Sequence, residues 1–379
     1  SVATRIATAV AILVATLPIF DLLGELALWM NTACVLLFWL GWVLVSYLPD
    51  VAGGRRLAVR LAALALFFVS FDLNSNLVML YAVALAIAGL RLPDLRLATL
   101  RTRLPGIAIR HADFLVLPVV FWLAKHWLTP TSGFYATGYN QPSLNPAALA
   151  SGYLGMVINF VIRGLGDLVS RPTWLAIAAA TAAAVAFAVR RAPDAARVLA
   201  PPRGLGWRLL AWGFFLLGAA AFPYITVGQG LASEGWLTRN CILCPLPVAM
   251  LVTGSFLLVN DRWHRAPRWA WLPGVAAVAA LGVGGCVHNY LAYQAFGVKQ
   301  LAIRARLADA VREARPSVVQ LRDYVPVPGT IPYYPPVIWT YLATGSAGVP
   351  TAFVIETTAM AADVIQPGPD GSPRRMIPQ

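Results

Sequence analysis

Carboxylates beside long apolar segments are the residues of this chain best suited to acid–base chemistry. Asp21 and Glu25 lie four residues apart, about one helical turn, so both side chains can point in the same direction. An acid at the centre of a bilayer costs about 2.5–3.5 kcal/mol on insertion scales, so acids within apolar sequence tend to be paired or functional. We predict that Asp21 and Glu25 are catalytic, accepting a proton from a hydroxyl or contacting a divalent cation. A solvated hairpin between two spans is the alternative.

A second set of polar residues lies at the end of the third apolar segment. Asp72, Asn74 and Asn76 place oxygen atoms at every second residue, as at the start of a calcium loop, although the glycine and the distal glutamate of that loop are absent. We predict Asp72 as a third catalytic residue, with Asn74 and Asn76 as substrate contacts. Polar capping of a tight helix hairpin would also account for these residues.

The best signal for a binding site is the segment Trp236-Leu-Thr-Arg-Asn240, which directly precedes an apolar helix. Free N–H groups at a helix N-terminus and a nearby guanidinium both favour phosphate, so Arg239 is predicted as a phosphate contact with Trp236 and Asn240 beside it. Tyr139 and Asn140, in a long polar loop, are predicted to contact the same substrate. Snorkelling of Arg239 to ordinary lipid headgroups is the alternative.

Cysteine and histidine give weaker signals. Cys241 and Cys244 form a CxxC pair, but no thioredoxin-like βαβ pattern surrounds them, so small buried apolar residues are the expected role. A disulfide or a metal site with Cys286 and His288 is a second reading. Two isolated histidines, His126 and His288, are a weak indication of haem. No metal-ligand motif is recognised and the sequence names no cofactor; a divalent cation is the candidate that the predicted acidic residues suggest.

Long apolar segments position all of these residues. The chain is 59% hydrophobic and 12% charged, whereas about a quarter of the residues in a soluble domain are charged. This composition predicts an all-α polytopic membrane protein. The net charge of +13 is not expected to indicate nucleic-acid binding, because no segment interleaves basic and aromatic residues on a soluble surface. Arginines beside apolar spans instead orient a chain against anionic membrane lipids.

The apolar segments that reach a length of roughly 20 residues predict about nine membrane spans. They are residues 5–23, 29–48, 57–74, 75–91, 112–128, 173–190, 207–222, 241–259 and 268–287. Residues 146–168 are interrupted by glycine and polar residues, which favours an amphipathic helix lying in the membrane interface. That assignment places four arginine clusters on one side, which is then cytoplasmic. These clusters are at residues 55–60, 91–110, 190–208 and 262–268.

The predicted membrane domain covers residues 1–287, and an odd number of spans places residues 288–379 in the periplasm of a bacterial inner-membrane protein. Within this small α/β appendage, residues 299–314 read as a helix, and residues 318–321 and 353–355 as short strands. A Pro/Gly-rich tail from about residue 366 is expected to be flexible or to lie against a partner.

Several motifs together resemble a group of bacterial polytopic membrane proteins over about residues 70–320. They are Asp72-Leu-Asn-Ser-Asn76, Ala112-Asp-Phe-Leu-Val-Leu-Pro118, Gly133-Phe-Tyr135 with Tyr139-Asn140, Pro223-Tyr224 and Trp236-Leu-Thr-Arg-Asn240. More loosely, the architecture is similar to the GT-C class of membrane glycosyltransferases. That resemblance implies a periplasmic site with Asp21 and Glu25 as the acidic pair, although their spacing differs from that of the class and the first loop is very short.

The leading hypothesis is therefore a transferase that uses a polyprenyl-phosphate-linked sugar at the periplasmic face. A second hypothesis is a non-catalytic membrane subunit that binds lipids and contacts protein partners through its C-terminal region. A transporter is the third, although the spans show no internal repeat and few charges at mid-membrane.

Overall fold

The computed structural model describes residues 9–14, 29–75, 77–78, 101–102, 105–106, 108–109, 112–128, 143–192, 201–202, 204–231, 240–262, 267, 269–314, 318–321, 353–356, 364–367 and 373–376. This part of the chain is predominantly helical. Its α-helices are α1 (Trp29–Tyr47), α2 (Gly53–Leu73), α3 (Ala112–Leu128), α4 (Pro146–Met156), α5 (Arg163–Val169), α6 (Pro172–Arg191), α7 (Leu205–Thr226), α8 (Pro245–Arg262) and α9 (Trp271–Ala314).

Three of the described helices are long and apolar enough to cross a membrane: Pro172–Arg191, Leu205–Thr226 and Trp271–His288. Ala33–Tyr47 and Pro146–Ile162 are shorter apolar helices. Only 6% of the apolar window of α6 is buried within the protein, against 50% for α7. The apolar surface of α6 therefore faces the surroundings of the protein, and that of α7 is half covered by neighbouring helices. This distribution is that of a membrane-associated helical protein.

An aromatic contact holds α1 and α2 together as a hairpin. Phe38 and Phe67 are both fully buried and meet edge to face, with ring centroids 5.5 Å apart. A Cβ atom at Gly41 would lie 2.8 Å from the ring of Phe67, so a glycine is needed for the ring to fit against the helix. Deeper in the same interface, the hydroxyl of Ser70 donates a hydrogen bond of 2.9 Å to the carbonyl of Cys34. Such bonds between helices satisfy polar groups where water is excluded.

Glycines also allow α7 and α8 to approach each other closely. A Cβ atom at Gly206 would lie 2.8 Å from the backbone nitrogen of Leu258, and one at Gly254 would lie 3.0 Å from the carbonyl oxygen of Gly206. Further along α7, Gly213 faces Leu251 at a comparable distance. Small residues at such positions bring the helix backbones together, and close packing then stabilises the pair.

The segment that the sequence assigns to the membrane interface is a continuous helix with one widened turn. Residues Val157–Ile162 form a π-helical turn between α4 and α5, and the N–H of Arg163 bonds the carbonyl of Ile158 five residues back. Asn145 caps the start of α4, with its side-chain oxygen accepting from the N–H of Ala147 at 2.9 Å. The glycine and polar residues that interrupt this segment thus do not end the helix.

The chain divides into two compact units, Ser1–Cys286 and Val287–Gln379. The helix α9, 44 residues long, belongs to both, because it continues without a break from the predicted span at 268–287 through the predicted helix at 299–314. No proline occurs between residues 274 and 314, so nothing in this sequence ends the helix early. The predicted boundary between residues 287 and 288 stays a prediction.

Short strands follow α9 in the second unit. Strand β1 (Val318–Leu321) pairs in parallel with β2 (Phe353–Glu356), at the positions where the sequence predicts strands. Strand β3 (Val364–Pro367) pairs antiparallel with β4 (Pro373–Met376). This second pairing extends into the tail that the sequence marks as flexible from about residue 366. The intervening sequence Gly368-Pro-Asp-Gly-Ser372 consists of turn-favouring residues, which suits a hairpin as well as a flexible segment.

Candidate functional site

Three of the predicted site residues, Asp72, Asn74 and Asn240, belong to the part of the chain that the structure describes. The other seven lie outside the described residues, and their roles stay predictions: Asp21, Glu25, Asn76, Tyr139, Asn140, Trp236 and Arg239. The three described residues lie at helix ends that are remote in sequence from the arginine clusters. We call these the Arg-poor ends: the C-terminal ends of α2 and α7 and the N-terminal end of α8.

Asp72 and Asn74 lie where α2 ends, and their side chains have different environments. Asn74 adopts an extended conformation after the helix, and its N–H bonds the carbonyl of Ser70 at 3.0 Å. Its side chain also hydrogen-bonds with the thiol of Cys34 on α1. Asp72, in contrast, is exposed. Asn74 therefore closes the helix end, and the carboxylate of Asp72 is accessible to a ligand.

Asn240 joins the end of α7 to the start of α8. It is 5% exposed, and its side-chain amide donates a hydrogen bond of 2.8 Å to the carbonyl of Gly230. The chain leaves α7 through Gly228, whose φ of +72° lies in the left-handed region that glycine adopts readily. The N–H of Gln229 bonds the carbonyl of Tyr224 at 2.8 Å, which completes this helix cap. The amide of Asn240 is thus engaged within the protein.

A small apolar cavity brings the two segments to the same place. It is lined by side chains from the helix α1, from the N-terminal helical residues 9–14, from the chain just after α2, and from the turn before α8 with the first two residues of that helix. The lining residues are Val14, Val35, Trp39, Leu77, Ile242, Leu243, Pro245 and Leu246. Leu77 comes three residues after Asn74, and Ile242 comes two residues after Asn240. The segments that carry Asp72 and Asn240 are therefore neighbours at the Arg-poor ends.

The helix α4 is attached to α7 beside this region. The N–H of Ser143 bonds the carbonyl of Thr226 at 2.6 Å, and the hydroxyl of Tyr153 donates to the carbonyl of Gly218 at 3.0 Å. Burial raises the pKa of the Tyr153 phenol, so the phenol keeps its proton and stays a donor at neutral pH. Ser143 follows the predicted substrate contacts Tyr139 and Asn140 by a few residues. These bonds anchor the chain that leads out of that loop.

An ion pair that the sequence analysis did not identify lies at the opposite, Arg-rich ends of the helices. Both oxygens of the Asp113 carboxylate accept hydrogen bonds from Arg60, one from Nε and one from an Nη. The guanidinium carbon lies 5.3 Å from the centroid of the Phe114 ring. The available signal was an aspartate on the first turn of an apolar helix, opposite a cluster of arginines. Within one cluster, however, the sequence does not show which arginine is the partner.

The described residues do not bring together three or more His, Cys, Asp or Glu side chains as a metal-binding group. His126 is exposed near the end of α3, and His288 is half-buried in α9. Cys241 and Cys244 are both completely buried, as expected for small apolar residues, and they lie directly before α8.

Comparison with known proteins places no further constraint on this site: no protein-family model, no curated protein and no solved structure matches the chain.

Proposed function

We propose that this chain is a multi-pass protein of the bacterial inner membrane, with about nine spans and a periplasmic C-terminal region. The contacts between helix ends support this arrangement, because they join ends that the arginine clusters assign to the same side. On the Arg-rich side, Arg60 meets Asp113, and the N–H of Gly204 bonds a carboxylate oxygen of Asp261 at 3.3 Å. On the Arg-poor side, Ser143 meets Thr226, and Asn240 meets Gly230.

We further propose that the Arg-poor face carries out transfer from a polyprenyl-phosphate-linked sugar, as in membrane glycosyltransferases of the GT-C kind. The observation that carries this proposal is the convergence of the Asp72 and Asn240 segments on one apolar cavity. A lipid-linked sugar needs a cation for its phosphate and a carboxylate for the acceptor hydroxyl, and the cavity itself is too small to hold its chain. Asp72 supplies an exposed carboxylate five residues before the lining residue Leu77, and the sequence places Arg239 one residue before Asn240.

In this reaction Asp72 would act as the general base, and it would have to lie within hydrogen-bond distance of the acceptor hydroxyl. Asp21 is the alternative base. Arg239 would contact the phosphate, which leaves with the polyprenyl chain. The N-terminal end of α8 contributes little to this contact, because Pro245 and Pro247 have no N–H group. The described donors at this end, one carboxylate with a capping asparagine, do not form a divalent-cation site by themselves.

The test compares two exposed aspartates at helix ends of opposite sides. Asp72→Asn removes the proposed base, and Asp50→Asn removes a carboxylate at the Arg-rich side, in the turn Leu48–Asp50. Each variant replaces the wild-type chain in the native organism, and mass spectrometry follows the envelope glycans and polyprenyl-linked sugars. We expect Asp72→Asn to lose one glycan by about 100-fold or more, within the range for loss of a general base, and to accumulate its lipid-linked precursor.

The control Asp50→Asn should retain the wild-type pattern. If Asp72→Asn is present in the membrane at the wild-type level and leaves every glycan unchanged, Asp72 is not the base. If alanine at Asp21, Glu25 and Arg239 is equally silent, the transferase proposal is wrong. In that case the second hypothesis, a non-catalytic membrane subunit, would be tested by deleting residues 366–379 and measuring whether a co-purifying complex loosens.

A further inference from the structure

The turn that begins α8 holds two cysteines in contact. The N–H of Cys244 bonds the carbonyl of Cys241 at 2.8 Å, and the N–H of Val248 bonds the carbonyl of Cys244 at 3.0 Å. Cys241 thus begins a hydrogen-bonded turn, and Cys244 is the residue on which the first helical bond forms. A hydrogen bond also joins the two thiols. Both residues are 0% exposed.

This geometry is that of a bridgeable pair. A turn closed by a bond from the fourth N–H to the first carbonyl brings the outer Cα atoms to within about 7 Å. The Cα atoms of cysteines in disulfides are usually about 4.4–6.8 Å apart. The hydrogen-bonded turn therefore places Cys241 and Cys244 in the range of Cα separations that a disulfide can span.

A CxxC sequence can form a structural disulfide, act as a catalytic thiol or bind a metal, and the surroundings of this pair favour one of these roles. The residues between the cysteines, Ile242 and Leu243, line an apolar cavity with Val14, Val35 and Leu77. Apolar burial destabilises a thiolate, which is the form that acts as a nucleophile or binds a metal ion. A disulfide is neutral and can be buried there without a charge. The packing therefore favours a structural disulfide over a catalytic thiol or a metal site.

We propose that Cys241 and Cys244 form a structural disulfide in the native protein. This inference rests on the proposed orientation, which places the turn on the periplasmic side, where disulfides form and persist. The oxidant is a protein disulfide of the thiol-oxidoreductase class. One cysteine thiolate attacks that disulfide and forms a mixed disulfide, which the second cysteine then displaces. The pair gives up two electrons and two protons, and the oxidant leaves as a dithiol.

Because both cysteines are completely buried, we can infer when the disulfide forms and how it responds to added thiols. Exchange with a protein disulfide requires access to sulfur, so the bond forms before the turn packs against Val35 and Leu77. Once the turn is packed, the bond is shielded from thiols. It joins residues three apart, so its main effect is to hold the turn in which Asn240 bonds Gly230.

The test uses the full chain in native membranes. Membranes are dissolved in hot SDS with N-ethylmaleimide, without a reductant, and the protein is then mapped by peptide mass spectrometry. We expect label on Cys34 and Cys286 only, and a peptide with Cys241 and Cys244 that is lighter than its reduced form by two hydrogens. Reduction in SDS before labelling should expose all four cysteines. A reductant added to the intact membranes should leave the pair oxidised.

Two variants serve as matched controls. Cys244→Ser should free Cys241, so every remaining cysteine is labelled without reduction, whereas Cys34→Ser should leave the 241–244 bond intact. Label on all four wild-type cysteines without reduction, or a bond from Cys241 to Cys286, would overturn the proposal. An impermeant maleimide at Ser143→Cys, in a chain without its native cysteines, reports the orientation separately. If Ser143→Cys is labelled from outside and the wild-type chain has free Cys241 and Cys244, the disulfide proposal is wrong and the orientation stands. If Ser143→Cys is protected, the proposed orientation is wrong.

Discussion

The guanidinium of Arg60 is paired with both oxygens of the Asp113 carboxylate and lies against the ring of Phe114. Arg60 belongs to α2 and Asp113 to the first turn of α3, so the pair connects two helices that are separated by a long stretch of sequence. The two side chains are 24% and 32% exposed. A bidentate pair at this depth has defined geometry and is less screened by solvent than a surface ion pair.

Removing one partner of this pair should destabilise the protein. Arg60→Gln leaves the half-buried carboxylate of Asp113 without its cation, and we expect the free energy of unfolding to fall by about 1.5–3 kcal/mol, the range for hydrogen bonds to charged groups. Denaturant unfolding in detergent micelles measures the change. Arg56→Gln, at an exposed position one helical turn earlier, is the matched control and should shift the free energy of unfolding by less than about 0.5 kcal/mol.

The exchanged pair Arg60→Glu with Asp113→Arg should recover part of the loss. If Arg60→Gln unfolds at the same denaturant concentration as Arg56→Gln, the ion pair contributes nothing to stability, and α2 and α3 are held by their aromatic contacts alone.

A methyl group at Gly206 should separate α7 from α8. The added Cβ atom would lie 2.8 Å from a backbone nitrogen of α8, which cannot rotate away as a side chain can. We expect Gly206→Ala to lower the free energy of unfolding by about 1–3 kcal/mol, as overpacking generally does. The midpoint of thermal unfolding in detergent is the measurement.

Gly218→Ala is the control on the same helix, because a Cβ atom there would meet nothing within 4 Å. Alanine is a better helix former than glycine by up to about 1 kcal/mol, so this variant should be as stable as the wild type or more so. Equal midpoints for the two variants would refute the close approach of α7 and α8 at Gly206.

Asn240 should prove necessary for stability whatever its part in substrate binding. Asn240→Ala removes the hydrogen bond to the carbonyl of Gly230, which is itself exposed, and we expect a loss of about 0.5–1.5 kcal/mol in the free energy of unfolding. Asn240→Asp keeps the shape but replaces the donating amide with a carboxylate oxygen, so it should be at least as unstable. A full loss of activity in Asn240→Ala with unchanged stability would instead identify Asn240 as a substrate contact alone.

The helices were predictable because apolar residues continue for many positions between proline- and arginine-rich segments. The predicted segment 112–128 coincides with α3; 29–48 differs from α1 by one residue at its C-terminal end, and 173–190 differs from α6 by one residue at each end. The ends of α2, α7, α8 and α9 were predicted less well. In α7 the helix continues past Pro223 to Thr226, because a backbone cap at Gln229 satisfies the carbonyl of Tyr224. A hydropathy profile carries no information about such a backbone cap.

The roles of the polar residues were harder to predict, because a polar side chain is consistent with a cap as well as with a ligand. Asn74 closes α2, as the capping alternative expected, while Asp72 two residues earlier is exposed. Asn240 bonds the carbonyl of a residue ten positions before it. These distinctions depend on which neighbour each side chain meets, and that is a property of the packed helices.

By itself, the sequence of this protein determined that it is helical and apolar, roughly where the described helices lie, and which of their ends carry arginine. Those properties follow from local composition and from the fixed rise of a helix. Only the tertiary structure decided that Arg60 pairs with Asp113, that the Asp72 and Asn240 segments share a cavity, and that the turn with Cys241 and Cys244 is buried. These pairings depend on how glycines and aromatic rings let helices approach, and side-chain packing over many sequence-distant residues sets that distance.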